Sequence, residues 1–183
     1  MRFLLVTPLV VLLACNSNSG KVRLQSGLPD IKVYFQEEIK KLSADQPGLD
    51  KTISMGDEIA AFSEDSLDWA TELLPFTALD MMSASYSQAF NVTADSNERL
   101  SITRYSAKDT ALEIQEISLT RRNYHLEMME IKTRKRSMWV DRDQVLSYLP
   151  GKGYNIMITE DYIWSSPKRT EIMGTFKRQQ FKP

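Results

Sequence analysis

The chain has little of what most metalloproteins and hydrolases are built from. Its 183 residues include one cysteine and one histidine, so no intramolecular disulfide, Cys/His zinc cluster or CxxC redox centre can form within it. Neither sign of charge dominates: 23 Lys and Arg oppose 24 Asp and Glu, which removes the basic excess expected of a nucleic-acid binder. No Gly-x-Ser-x-Gly elbow, glycine-rich phosphate loop or EF-hand spacing occurs, so no cofactor or metal site is expected. The longest apolar run, Phe3 to Ala14, falls short of the roughly 20 residues a membrane helix needs. What remains is 42% hydrophobic and 26% charged, the balance of a folded body rather than a disordered or multi-spanning chain.

The apolar run has the proportions of an export signal: Arg2 supplies the positive start, and Phe3 to Ala14 is interrupted only by Thr7 and Pro8. Leu12-Leu13-Ala14-Cys15 resembles a bacterial lipobox, in which a small residue precedes a cysteine that becomes the lipid-modified first residue. An ordinary secretory signal with an incidental cysteine is the competing reading. Asn16-Ser17-Asn18-Ser19-Gly20 follows as a polar tether. Acyl chains on Cys15, each buried CH₂ adding about 0.8 kcal/mol, would give a stable anchor. Asn16, rather than Asp, resembles the outer-membrane-directed class. The expected organisation is therefore a signal over 1–14, a lipidated tether over 15–27 and a single α+β domain over 28–183.

Past the tether, helix precedes sheet. Ile31, Tyr34, Phe35, Ile39 and Leu42 recur at helical spacing, with Pro29 in the first turn and Pro47-Gly48 as terminator. Lys51 to Phe62 reads as a hairpin around Met55-Gly56-Asp57, with a helical turn over 57–62 as alternative. Ser66 is expected to cap a second helix carrying Leu67, Trp69, Ala70, Leu73 and Leu74, bent or ended at Pro75. From Tyr86 onward period two dominates. Leu100 to Tyr105 alternates, a bulge is expected near Gln115-Glu116, and Arg122-Asn123 and Pro150-Gly151-Lys152-Gly153 make turns. One strand should contain Trp139, another should end at Leu146-Ser147-Tyr148, and Tyr154, Ile156, Ile158, Tyr162 and Trp164 should share a face. Ile172, Gly174 and Phe176 mark the last strand. The pattern predicts N-terminal helices packed on a curved antiparallel meander sheet of about six or seven strands.

Asp68-Trp69 through Phe76, Leu79-Asp80, Ser85-Tyr86, Ile117-Ser118-Leu119, Leu146 to Pro150 with Gly153-Tyr154, and Met173-Gly174-Thr175-Phe176 resemble segments of uncharacterised lipoproteins of Bacteroidota. Those proteins similarly begin with a lipobox and a helix like Tyr34-Phe35 through Ile39. Where they often carry Asn-Leu-Leu-Tyr, this chain has Asn123-Tyr124-His125-Leu126. The resemblance covers most of the chain after Cys15 and implies location and architecture, but no activity. Asp65-Ser66-Leu67 and Asp109-Thr110-Ala111 resemble the O-glycosylation triplet of that group, which makes Thr110 and Ser66 candidate acceptors.

Charge is unevenly spread. Residues 15–110 hold 9 basic and 15 acidic side chains, a balance of −6, whereas residues 111–183 hold 13 basic and 9 acidic, a balance of +4. Within the basic half, Arg121, Arg122, Lys132, Arg134, Lys135 and Arg136 form a candidate binding patch for acidic lipid, glycan or protein. The competing reading is a solvated turn that guards a sheet edge. His125 has no thiol, acid or second histidine at a telling spacing, and Glu37/Glu38, Glu64/Asp65 and Glu160/Asp161 read as solvated surface pairs. The expected function is a non-enzymatic envelope lipoprotein that binds a partner through its sheet or open edge. The expected partners are the membrane, through the lipid anchor, and another envelope protein, glycan or lipid. One alternative is a carrier holding a lipid in a pocket lined by Tyr34, Phe35, Trp139, Tyr154, Tyr162 and Trp164. Another is an envelope hydrolase with a site assembled at long range.

Overall fold

The computed structural model describes residues 29–79 and 88–177. The signal segment, Cys15, the tether, and Asp80, Ser85 and Tyr86 lie outside them.

Helix α1 spans Ile31–Asp45. The Asp30 carboxylate accepts the Val33 amide at 3.0 Å, so Asp30 is the cap and Pro29 precedes it rather than opening the first turn. Gln46 turns left-handed at φ 43° and donates its amide to the Leu42 carbonyl, closing the helix before Pro47. Ile31, Phe35 and Leu42 form its buried stripe.

Strands β1 (Leu49–Met55) and β2 (Glu58–Glu64) make a hairpin over the two-residue loop Gly56-Asp57, where Gly56 supplies the positive φ of 60°. Two single-turn helices follow, α2 (Trp69–Glu72) and α3 (Leu74–Thr77). Here Asp68 is the cap and Ser66 is not. The Asp68 carboxylate accepts from the Ala70 amide and the Thr71 hydroxyl, and those bonds hold its pKa below the usual range. Pro75 sits in the first turn of α3, where its missing N–H costs nothing, and the helix breaks at Leu73.

Seven further strands run as an antiparallel meander: β3 (Phe90–Ser96), β4 (Leu100–Ala107), β5 (Ile114–Arg122), β6 (His125–Arg136), β7 (Val140–Leu149), β8 (Gly153–Tyr162) and β9 (Lys168–Phe176). The sheet order is β2-β1-β9-β8-β7-β6-β5-β4-β3. This is an α+β fold with N-terminal helices on a large antiparallel sheet. The sheet has nine strands rather than six or seven, and it is open rather than strongly curled, with β2 and β3 as its two edges. The difference has a physical source. β3 buries only Phe90 although Phe90, Val92 and Ala94 alternate along it, and the β1–β2 hairpin joins the sheet through β9, which sequence spacing does not reveal.

The bulge expected near Gln115-Glu116 is present as a register shift between Ile114 and Glu116, and a second lies at Thr120/Arg121. The second moves the buried phase of β6 onto Met129, Ile131 and Thr133. Trp139 lies in the β6–β7 turn, not in a strand, and a single strand, β7, runs from Val140 to Leu149.

The core lies between the helices and one face of the sheet. Phe35 stacks on Phe76 with centroids 4.7 Å apart and meets Tyr148 edge-on at 5.0 Å. Trp69 meets Phe176 edge-on at 5.1 Å. Ile117, Leu119, Ile131, Leu146 and Ile156 extend the same buried cluster across β5 to β8. Each such side chain contributes roughly 1.5–3 kcal/mol on burial.

Candidate functional site

Two polar seams cross the helix–sheet interface. The Tyr148 hydroxyl of β7 donates to Glu38 of α1 at 2.7 Å. The Tyr154 hydroxyl of β8 donates to Glu72 of α2, and the Lys51 ammonium of β1 reaches the same carboxylate at 2.9 and 3.2 Å. Burial first, and then the carboxylate each phenol serves, push Tyr148 and Tyr154 well above the usual phenol range. Tyr34 rises likewise through burial and the Glu38 charge. In these seams a buried donor meets a partly buried acceptor, and the charge on Glu72 is balanced by Lys51, which is the chemistry of holding helices to a sheet.

The proposed basic residues do not form one patch. Arg121 and Arg122 end β5 beside the Asn123-Tyr124 turn, whereas Lys132, Arg134, Lys135 and Arg136 lie toward the opposite end of β6. Most face a carboxylate across the ladder. Lys132 reaches Glu116 at 2.9 Å and Glu130 at 3.7 Å, Arg134 reaches Asp143 at 2.7 Å, Arg136 pairs with Asp141, and Arg122 reaches Glu127 at 3.1 Å. The hydrogen bond that Lys132 donates to Glu116, foremost, raises the Lys132 pKa. Lys135 makes no ion pair with any described residue. These are half-exposed cross-strand pairs, worth at most about 1 kcal/mol each.

The other singled-out residues are also placed. Thr110 is exposed in the turn after β4, where Asp109 accepts the Ala111 amide at 2.8 Å, and Ser66 is exposed between β2 and α2. His125 is exposed at the start of β6 opposite Arg122. The carboxylate pairs are divided among separate partners: Glu37 holds Lys40, Glu38 holds Tyr148, Asp65 holds Lys177, and Glu160 holds Arg142 and the Tyr162 hydroxyl. The Arg142 bond keeps the Glu160 carboxyl below its usual range. Among the described residues no group of three or more His, Cys, Asp or Glu is arranged to hold a metal ion.

The six aromatics expected to line a carrier pocket do not share one. Phe35 and Tyr154 are buried in ring-on-ring packing, whereas Trp139 and Trp164 are exposed together at the far tips of two hairpins. An open groove of about 340 Å³ lies where the end of α1 meets the β7–β8 turn, and Glu38, Lys41, Asp45, Gly151, Phe176 and Lys177 help to line it.

The feature that composition and motif reading missed is the β2 edge. Every residue of β2 is exposed, including Ile59 at 73% and Phe62 at 49%. Because its loop has two residues, Met55 and Glu58 form the closing hydrogen-bonded pair. Ala60 and Phe62 therefore bond inward to β1, while Ile59, Ala61 and Ser63 direct their N–H and C=O groups outward. Seven residues of apolar-centred strand whose outer ladder pairs with no other described strand can accept another strand. The hairpin itself was legible, but its position at the sheet's end was not.

No family model and no curated protein matches the chain.

Proposed function

We propose that the chain is a cell-envelope lipoprotein, anchored through Cys15 and directed to the outer membrane, that works as a non-enzymatic binding module. Its free β2 edge takes up an extended segment of another envelope protein as a tenth strand. The observation that carries this reading is the exposure of all seven β2 residues at one end of the sheet, with Ile59 and Phe62 among them, whereas the opposite edge strand β3 still buries Phe90. The lipobox-like Leu12 to Cys15 and the resemblance to Bacteroidota lipoproteins support the location.

Strand addition gains main-chain hydrogen bonds, and alternate side chains set its selectivity. Two copies of β2 paired about Ala61 would set Glu58 against Glu64 at both ends, a like-charge arrangement that disfavours self-pairing. A partner strand with Lys or Arg at those positions fits instead. Lipid carriage between helix and sheet would need the room that the rings of Phe35, Phe76 and Tyr148 fill.

The test is site-specific photo-crosslinking in the native cell, with the crosslinker at Ile59 and, as the opposite-edge control, at Thr93. A discrete adduct from Ile59 is expected. It should disappear with Ala61→Pro, which removes an outward N–H while leaving the bonds to β1. Equal adducts from both edges, insensitive to Ala61→Pro, would sink the reading.

A further inference from the structure

The β6–β7 and β8–β9 turns lie side by side: the Ile163 amide donates to the Trp139 carbonyl at 3.4 Å, and the rings of Trp139 and Trp164 meet with centroids 5.1 Å apart. Turn tips ordinarily carry Gly, Asn, Asp or Ser. Here they carry Met138, Trp139, Ile163 and Trp164, all exposed, with Trp139 at 56% and Trp164 at 77%. The rings of these two tryptophans meet each other at the surface, while the third, Trp69, is buried in the core.

The tips end a solvated ribbon. No residue of 134–145 or 157–173 is fully buried, and β6 to β9 run on past the last core rung, where Thr133 is buried and Ile158, beyond Gln144, still packs on the core. From that rung to Val140 the ribbon extends about 13 Å at strand rise. Along it the side chains are graded. At the end are Met, Trp and Ile. Next comes Tyr162, amphipathic and overlaid by Lys168 at 5.6 Å. Arg136, paired with Asp141 and level with Asp161, comes on the next rung, and Lys135, Arg142 with its partner Glu160, and Lys168 share the rung about 10 Å behind the tip. Residues 134–143 and 159–169 together carry six basic and four acidic side chains, a balance of +2.

From this gradient we infer that the paired hairpin tips are a membrane-contact site for a bilayer surface bearing anionic headgroups. The end of the ribbon enters the interface, and the cations behind it meet the phosphates. The order apolar, indole, phenol, cation matches the order of hydrocarbon edge, interface and headgroup. The tips offer only a small open pocket of about 200 Å³ beside Ser137, Val140, Tyr162 and Ile163, and no free ladder among the described residues, which gives another folded protein little to pack against, whereas a fluid bilayer conforms to them. The net positive charge supplies the complementarity to anionic lipid. The site is independent of the β2 edge and of acylation at Cys15.

The test uses residues 15–183 with Cys15→Ser, so that neither the apolar run Phe3 to Ala14 nor an acyl anchor contributes. The probes are phosphatidylcholine vesicles, plain or with one quarter phosphatidylglycerol, some carrying brominated acyl chains. Sedimentation with the anionic vesicles is expected, about tenfold or more weaker for Trp139→Ala/Trp164→Ala and reduced by Lys135→Glu/Lys168→Glu. Bromolipid should quench the tryptophan emission of the Cys15→Ser chain but not that of Trp139→Phe/Trp164→Phe, in which only Trp69 remains. Circular dichroism checks that the variants keep their fold. Equal sedimentation of chain and double-alanine variant, absence of quenching, or equal affinity for plain phosphatidylcholine would overturn the inference. So would self-association abolished by the double-alanine variant, which would make a second copy the occupant of the tips.

Discussion

The ring of Tyr154 on β8 lies across Gly174 of β9, its registered partner, and fills the space that a side chain at 174 would occupy. A Cβ at that position would fall against Cε1 and Cζ of the ring. The same ring is fixed at its hydroxyl by Glu72 and packs edge-on to Phe76 at 6.2 Å. Gly174 is thus the gap that lets one tyrosine bind sheet to helix.

Gly174→Ala is expected to destabilise the protein by about 1–3 kcal/mol, because a ring held at both ends cannot yield without breaking a contact. Urea denaturation would measure it. A midpoint unchanged from the parent chain would show that the ring moves freely.

Alkali should unfold the protein earlier than its ion pairs alone would. The native pKa values of Tyr148 and Tyr154 lie above the usual phenol value of about 10, so between that value and the raised ones the unfolded chain holds fewer protons than the native one. Stability is unaffected below that window and falls within it, by about 1.4 kcal/mol per pH unit for each phenol. Tyrosinate absorbance should rise together with loss of circular dichroism, and Tyr148→Phe should make the fall shallower. Titration of both phenols with the fold intact would refute this.

Tyr124→Gly is expected to raise stability by roughly 0.5 kcal/mol. Asn123 and Tyr124 form the two-residue β5–β6 loop with φ of 49° and 69°, the left-handed pair that hairpins usually fill with Asn-Gly. Tyr124 is 97% exposed and has no packing to lose. A lower melting temperature in the variant would contradict the strain argument.

Cys15→Ala should abolish incorporation of labelled lipid and release the protein from membranes in cells. Retention of full labelling by the variant would end the lipoprotein reading.

What the sequence made legible follows from what periodicity can carry. Ile31, Phe35 and Leu42 recur on one helical stripe and are buried as that spacing requires, and Tyr154 and Ile156 alternate and face the core. The Gln115-Glu116 phase change is a bulge because only an inserted residue can shift a buried face. Trp139 and Trp164 stand in exposed turns, where hydrophobicity does not mean burial. Ser165-Ser166-Pro167 beside one and Ser137 beside the other are turn signals that outrank it. A strand from Tyr124 to Thr133 suggests that the six cations converge at adjacent strand ends, whereas Asp143 and Asp141, set opposite Arg134 and Arg136 by register, decide the environment of the second group. Long-range pairings such as Leu49 with Phe176 leave no local trace.

That last pairing sets an order of assembly. The meander from β3 to β9 can zip up neighbour by neighbour as the chain is made, each strand finding the one just before it. The β1–β2 hairpin is synthesised first yet has no sheet to join until β9 exists, so until then both of its edges are open. Its docking is a loop closure over most of the body, which makes it the slowest and most exposed step of folding. Any holding factor that acts on the nascent chain has its reason to act there.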